Sequence, residues 1–182
     1  MEITSKSEWN TWDEIDWIKV DSSVFKLQKR IYRASQTEDY KLVHKLQKLM
    51  VKSWYSKLLA VRKVTQDNRG KKTAGVDGIK TVPPSKRLGL VNHLSIDGNA
   101  NPTRRVWIPK PGKKEMRPLG IPTMLDRAKQ ALLKMAIEPE WEAKFEPNSF
   151  LRNEVSILSS RKNMVVSQPP TRLMLLAGVR AN

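Results

Sequence analysis

Residues 104–122 read RRVWIPKPGKKEMRPLGIP. The first six residues are rich in β-branched, aromatic and basic side chains and end at Pro109, a composition that predicts a β-strand. The Lys110–Lys114 segment contains a Pro-Gly pair, which marks a tight turn, and residues 115–122 return as a second strand. The stretch therefore predicts a β-hairpin that carries six cationic side chains: Arg104, Arg105, Lys110, Lys113, Lys114 and Arg117.

Helical periodicity precedes the hairpin. Apolar side chains recur at helical spacing over residues 23–34, with Ser22 as the expected N-cap. Residues 35–37 are expected to form a turn, and Thr37 is expected to cap a second, longer helix whose apolar stripe runs from Leu42 to Val61. The pattern predicts a helical hairpin, and four lysines of its second helix project away from the apolar stripe: Lys41, Lys45, Lys48 and Lys52.

The remaining elements are shorter. Glycines and a Pro-Pro pair predict a structured loop over residues 65–84, followed by a short helix over residues 85–94. After the hairpin, Thr123 is expected to cap a helix that reaches about Phe145 and that Pro139 breaks or kinks. The sequence therefore predicts an α+β fold.

Composition limits the possible functions. The chain has 182 residues, 34 Lys plus Arg against 18 Asp plus Glu, a net charge of +16, two histidines and no cysteine. Disulfide scaffolds, thiolate zinc sites and cysteine nucleophiles are excluded, and no apolar run approaches the ~20 residues of a membrane span. We expect no resident cofactor, no metal site and no membrane partner.

The excess charge predicts a polyanionic partner, and nucleic acid is the first candidate. Residues 51–150 carry 20 basic and 9 acidic side chains, whereas residues 1–50 carry 9 and 8. A solvated surface is the ordinary alternative for such charges. The residues predicted to contact RNA are the four lysines of the second helix together with Arg62, Lys63, Arg69, Lys71, Lys72, Lys113 and Lys114.

Three segments carry a family resemblance. They are residues 54–78, which end in Gly-Val-Asp-Gly, residues 104–123, and residues 126–150, which begin Asp-Arg-Ala-Lys-Gln. In this order and spacing they resemble the N-terminal part of group II intron-encoded reverse transcriptases, which also act as intron maturases. The resemblance covers roughly residues 9–150.

The resemblance implies a right-hand polymerase architecture. Residues 1–65 would be the helical N-terminal extension, residues 66–150 part of the fingers and palm, and residues 151–182 a divergent tail. Lys110 and Arg117 match the positions that hold the nucleotide triphosphate, with Arg104 or Arg105 assisting. Ordinary solvated hairpin charges are the alternative.

The loop before the hairpin also matches the family. By the same resemblance Gly75 and Gly78 would be turn glycines in a loop along template RNA. Asp77 would be an Asx-turn or cap residue rather than a catalytic acid.

The carboxylates that hold two Mg²⁺ ions in this family have no match in the chain. The resemblance ends after Phe150, and the last 32 residues contain no aspartate. We therefore expect no catalytic residue here, Mg²⁺ only if another chain completes the palm, and an out-of-frame, irregular or disordered segment over residues 151–182.

Three functions remain open at this stage. The first is a truncated reverse transcriptase/maturase fragment that binds intron or template RNA without polymerase activity. The second is one half of a split polymerase whose palm and thumb come from a second polypeptide, and the third is a small structural RNA-binding protein. The N-terminus shows no secretion or import signal, so we expect bacterial cytoplasm or synthesis within a plastid or mitochondrion.

Overall fold

The computed structural model describes residues 9–68 and 73–145. These residues form an α+β fold, as predicted, and it consists of five α-helices and one antiparallel two-stranded sheet. The predicted divergent tail, residues 151–182, lies outside the described residues. The elements in chain order are α1 (Trp17–Gln36), α2 (Tyr40–Lys52), α3 (Trp54–Arg62), a π-helical turn (Lys63–Asp67), α4 (Pro84–His93), β1 (Arg104–Pro109), β2 (Met116–Ile121) and α5 (Met124–Lys144).

One hydrophobic core joins the helices. Helix α5 packs against α1, α2 and α3, and α4 packs on α3. Each fully buried aliphatic side chain contributes about 1.5–3 kcal/mol relative to an exposed one. The predicted domain division at residue 65 stays a prediction. Residues before and after this position contribute side chains to the same core. Its fully buried side chains include Val24, Ile31, Val43, Met50, Leu58, Val91 and Leu132.

The predicted start of the first helix is wrong. Helix α1 begins at Trp17, and Asp16 caps it by accepting a hydrogen bond from the Lys19 backbone N–H at 3.0 Å. Ser22, the predicted cap, lies inside the helix. Val20 is fully buried and continues the apolar stripe toward the N-terminus, so the polar residues that follow it interrupt the sequence pattern without ending the helix.

The prediction of a single long second helix is also wrong. The chain breaks at Ser53, whose ψ of 128° is extended, and α2 and α3 lie on either side. Four consecutive residues of α3, Leu58–Val61, are buried, so this turn is covered on all sides. The single apolar stripe expected for the long helix would bury one side only. Thr37 ends α1, and Asp39 caps α2 instead by accepting from the Leu42 N–H at 3.0 Å.

The remaining elements match the sequence prediction closely. Helix α4 and both strands appear within a residue or two of the predicted bounds. Helix α5 starts directly after Thr123, whose hydroxyl oxygen accepts a hydrogen bond from the Asp126 N–H at 3.2 Å.

Pro139 neither ends α5 nor leaves an unsatisfied carbonyl. Proline has no N–H to donate to the carbonyl four residues earlier, which here belongs to Met135. Gln28 of α1 supplies the missing donor, because its Nε2 donates to the Met135 oxygen at 3.2 Å in a buried environment. One turn further on, the Ser35 hydroxyl donates to the Glu140 carbonyl at 3.1 Å. The helix continues because its neighbour replaces the lost hydrogen bond.

Because the Gln28 amide replaces the backbone donor that Pro139 lacks, we expect substitutions of Gln28 and Pro139 to have coupled effects on the free energy of unfolding. Gln28→Met keeps the side-chain volume but removes the donor, and we expect a loss of about 1 kcal/mol in unfolding free energy. In a Pro139→Ala background the alanine N–H can reach the Met135 carbonyl, so the same substitution should cost clearly less. Urea unfolding of the four proteins measures the difference. Equal costs in both backgrounds would contradict this account.

Candidate nucleic-acid interface

The hairpin separates its cations onto two faces. The register pairs Ile108 with Arg117 and Trp107 with Pro118. Because side chains alternate along a strand, residues of even number in β1 share a face with their partners in β2. We call the face with Arg104, Lys110 and Arg117 the cationic face, and the face with Arg105, Trp107, Pro109, Met116 and Pro118 the aromatic face.

The ladder explains why two prolines fit into a two-stranded sheet. The Lys110 N–H donates to the Glu115 carbonyl at 3.0 Å, so this pair is hydrogen bonded. Hydrogen-bonded and non-bonded pairs alternate in an antiparallel ladder. Pro109 and Pro118 therefore both occupy non-bonded positions, where the missing proline N–H costs no hydrogen bond.

Two of the predicted nucleotide-binding cations already have partners. The Lys110 ammonium contacts the Glu115 carboxylate at 2.5 Å, and both side chains are substantially exposed. Such a pair is worth about 0–1 kcal/mol, so a phosphate could replace the carboxylate at little cost. Arg104 donates to the Ala74 carbonyl at 3.4 Å. The structure thus places Lys110, Arg117 and Arg104 on one face and Arg105 on the other, and their binding of a nucleotide stays a prediction.

The loop before the hairpin is fixed to the start of α5. Asp77 accepts from the Ile79 N–H at 3.2 Å, which closes an Asx-turn, and from the Met124 N–H at 2.8 Å, which caps α5. The Asx-turn, one of the two alternatives predicted for Asp77, is confirmed, and the bond to Met124 adds a contact between distant segments. Gly75 lies so close to Pro122 that an added Cβ would stand 2.6 Å from the Pro122 carbonyl oxygen, and Gly78 has a φ of +66°.

The Asp-Arg-Ala-Lys sequence at the start of α5 holds the neighbouring loops. Arg127 donates to the Pro122 and Thr73 carbonyls. Lys129 contacts the Asp97 carboxylate at 2.7 Å and the Asn99 carbonyl at 3.1 Å. The Lys129 ammonium lowers the pKa of Asp97 to about 2. Sequence reasoning did not foresee the bonds from Arg127 to Thr73 and from Lys129 to Asp97, because they join residues 54 and 32 positions apart.

Asp126 is a buried carboxylate in the same turn. It accepts hydrogen bonds from the Thr123 hydroxyl at 2.6 Å and from the Asn101 side-chain amide at 3.1 Å. Burial alone would raise the pKa of Asp126, but these hydrogen bonds outweigh it and the pKa lies below its ordinary value. The ionised carboxylate therefore ties the 97–101 loop to α5.

The helical basic surface extends beyond the predicted residues. All four predicted lysines of α2 are exposed, on the side opposite the buried Val43, Leu46 and Met50. Helix α1 carries a second exposed row that the sequence analysis missed, although it has the same helical spacing and no acidic residue lies between Ser22 and Gln36. The members of that row are Lys26, Lys29, Arg30 and Arg33.

The other predicted RNA contacts fall into three groups. Arg62 lies 3.9 Å from both Asp21 and Asp67 and stacks over the Trp17 ring at 4.6 Å, so the structure gives it protein partners. Lys63, Lys113 and Lys114 are exposed. The third group, which lies outside the described residues, consists of Arg69, Lys71 and Lys72.

The aspartates near the hairpin have hydrogen-bond partners within the protein. Asp77, Asp97 and Asp126 are each engaged by hydrogen bonds within the protein, to different partners. Within residues 9–68 and 73–145 no group of three or more His, Asp or Glu side chains could hold a metal ion. In the same residues no helix is long and apolar enough to cross a membrane.

Comparison with known proteins agrees with this architecture. Residues 12–94, which include α1 to α4, match the N-terminal domain of reverse transcriptase. Maturase-like protein 1 of Euglena gracilis is 35% identical over 142 residues, which are 74% of this chain and 30% of that protein. The chain carries the N-terminal region of the group II intron reverse transcriptase/maturase family.

Two further relatives support the assignment to this reverse transcriptase/maturase family. Protein YkfC of Escherichia coli is 30% identical over 133 residues, which are 70% of this chain and 34% of that protein. The group II intron-encoded protein LtrA of Lactococcus lactis is 35% identical over 83 residues, 43% of this chain and 14% of LtrA. The chain thus spans about 30% of the length of the maturase-like proteins that it matches.

The close approach of Gly75 to Pro122 predicts that alanine substitutions at Gly75 and at Gly89 change the free energy of unfolding in opposite directions. Gly75→Ala forces backbone atoms apart and should lower the unfolding free energy by about 1–3 kcal/mol. Gly89 lies inside α4 with open space around it, so Gly89→Ala should raise the unfolding free energy by about 0.5–1 kcal/mol. Urea unfolding tests both variants, and a neutral Gly75→Ala would show that the loop does not depend on this contact.

Proposed function

We propose that this chain binds intron or template RNA through the exposed basic rows of α1 and α2 and the cations of the hairpin. The observation that carries the proposal is the row Lys41, Lys45, Lys48 and Lys52, which makes no ion pair among the described residues. The names of two relatives, a maturase-like protein and a group II intron-encoded protein, support RNA as the polyanion.

The geometry of α2 suits a phosphate backbone. The four lysines follow one side of the helix over about 16 Å at the helical rise of ~1.5 Å per residue. Between Trp17 and Lys52 the chain has nine basic and three acidic side chains. Each lysine that neutralises a phosphate releases counterions, so affinity should fall as salt concentration rises.

Charge-matched variants test the proposed surface. The triple variant Lys41→Gln, Lys45→Gln, Lys48→Gln should weaken binding to structured RNA and reduce the slope of log affinity against log salt by about 2–3. Glutamine keeps helix propensity close to that of lysine, so α2 should remain folded. Fluorescence anisotropy with a group II intron RNA at several salt concentrations measures both quantities.

A matched control removes the same charge elsewhere. The variant Lys57→Gln, Lys86→Gln, Lys134→Gln loses three positive charges outside the proposed surface. It should keep nearly the wild-type slope. Equal slopes for the two triple variants would mean that net charge rather than the α2 row determines binding.

We also propose that the chain does not polymerise DNA by itself, because Asp77, Asp97 and Asp126 near the hairpin are engaged in hydrogen bonds, so that Mg²⁺ would need carboxylates from outside the described residues. Primer extension on an RNA template with Mg²⁺ should yield no product from the isolated chain. Extension by the isolated chain would overturn this part of the proposal. The bacterial and Euglena relatives fit a bacterial or organelle setting for the protein.

A split polymerase is the second candidate, and the surface of α5 favours it. Leu133, Ile137 and Trp141 form an exposed apolar row at spacings of four residues, and Trp141 is 50% exposed. A second polypeptide that supplies a palm and thumb could cover this row. The candidate requires extension to appear only when that polypeptide is added, and Lys110→Ala with Arg117→Ala should then raise the KM for nucleotide. If the chain is a purely structural RNA-binding protein, the third function considered, Lys110→Ala with Arg117→Ala should weaken RNA binding no more than the loss of two surface lysines elsewhere.

A further inference from the structure

The aromatic face of the hairpin is uncovered. Trp107 is 56% exposed and Met116 is 49% exposed, and both lie on this face with Pro109 and Pro118. No helix in the described residues packs extensively on the strands, which contact mainly each other. A tryptophan usually buries most of its large ring in a core or an interface, so this exposed indole indicates a binding surface.

Cationic residues precede and follow Trp107 along the hairpin. Arg105 lies on the same face two residues before Trp107, and Lys113 and Lys114 lie in the turn just beyond it. These three side chains are exposed, and none makes an ion pair in the described part of the chain. The face therefore combines a flat apolar ring with positive charge on two sides.

The charge argues against a second copy of the chain as the occupant. The hairpin has six cationic side chains and one acid, Glu115, which already contacts Lys110. Two such hairpins placed face to face would bring twelve cations together, and the repulsion would oppose association. A polyanion that also has flat rings is complementary to both the positive charge and the exposed indole of this face.

We propose that the aromatic face binds single-stranded RNA, with a nucleobase stacked on Trp107 and the flanking phosphates held by Arg105, Lys113 and Lys114. Aromatic platforms beside a positive groove bind single strands in this way with little sequence preference. The inference rests on the proposed RNA-binding function and adds a base-stacking subsite. That subsite is separate from the cationic face that carries Lys110 and Arg117.

The test compares two probes of equal charge on the full chain. One is a 12-nucleotide oligouridylate, and the other is the same strand with all bases removed. Trp107→Ala should weaken binding of the base-bearing strand about tenfold and leave binding of the abasic strand unchanged. The slope of log affinity against log salt should stay constant, because tryptophan carries no charge. Trp107→Tyr should retain most of the affinity.

Trp141→Ala is the matched control, since Trp141 is comparably exposed but lies on α5. It should bind both strands like the wild type. Equal binding of the base-bearing strand by Trp107→Ala and wild type would overturn the stacking subsite, while RNA binding itself would stand. If wild type binds neither strand nor structured RNA, the proposed function fails as well.

Discussion

The hydrogen bond from the Met124 N–H to the Asp77 carboxylate, 2.8 Å long, is the contact on which the arrangement of the chain around the hairpin depends. Helix α5 follows β2 after only two residues, so the direction of α5 and the direction of the hairpin are set together. Asp77 brings a distant loop to this junction, and Gly75 allows the loop to approach Pro122 closely. Without these contacts little else would orient the hairpin, because no helix packs extensively on it in the described residues.

The same helix links the junction to the core. Its N-terminal turn binds loops, whereas its later turns bury Leu132, Met135 and Ala136 among the other helices. The Gln28 amide donates to the carbonyl that Pro139 leaves without its usual donor, and α5 continues past the proline over 21 residues. Loop contacts at one end and core contacts at the other therefore act on a single rigid element. The Asp-Arg-Ala-Lys segment thus fixes the neighbouring loops to the helix that packs in the core.

Local signals in the sequence predicted the hairpin, α4 and the start of α5, because prolines, turn residues and strand alternation act over a few residues. The start of α1 and the break at Ser53 were missed because tertiary packing decides them: Val20 and the four buried residues of α3 satisfy the core rather than a local pattern. At the candidate interface, strand alternation already implied that Arg104 and Arg105 lie on opposite faces, but the register of the structure was needed to place Arg117 on the face of Arg104. The basic row of α1 could have been predicted from the sequence as well, because Lys26, Lys29, Arg30 and Arg33 all lie at helical spacing within the predicted helix over residues 23–34.

The positive charge on the two hairpin faces affects the stability of the hairpin. Six cations on a two-stranded sheet with one acidic neighbour repel one another, and the strands bury little apolar surface. A polyanion that binds the folded hairpin lowers this repulsion and so stabilises it by mass action. Because the cationic and aromatic faces are on opposite sides, two different parts of a nucleic acid could contribute to this stabilisation without competing for the same side chains. The hairpin should therefore be most ordered when nucleic acid is bound, with α5 fixing its base in either state.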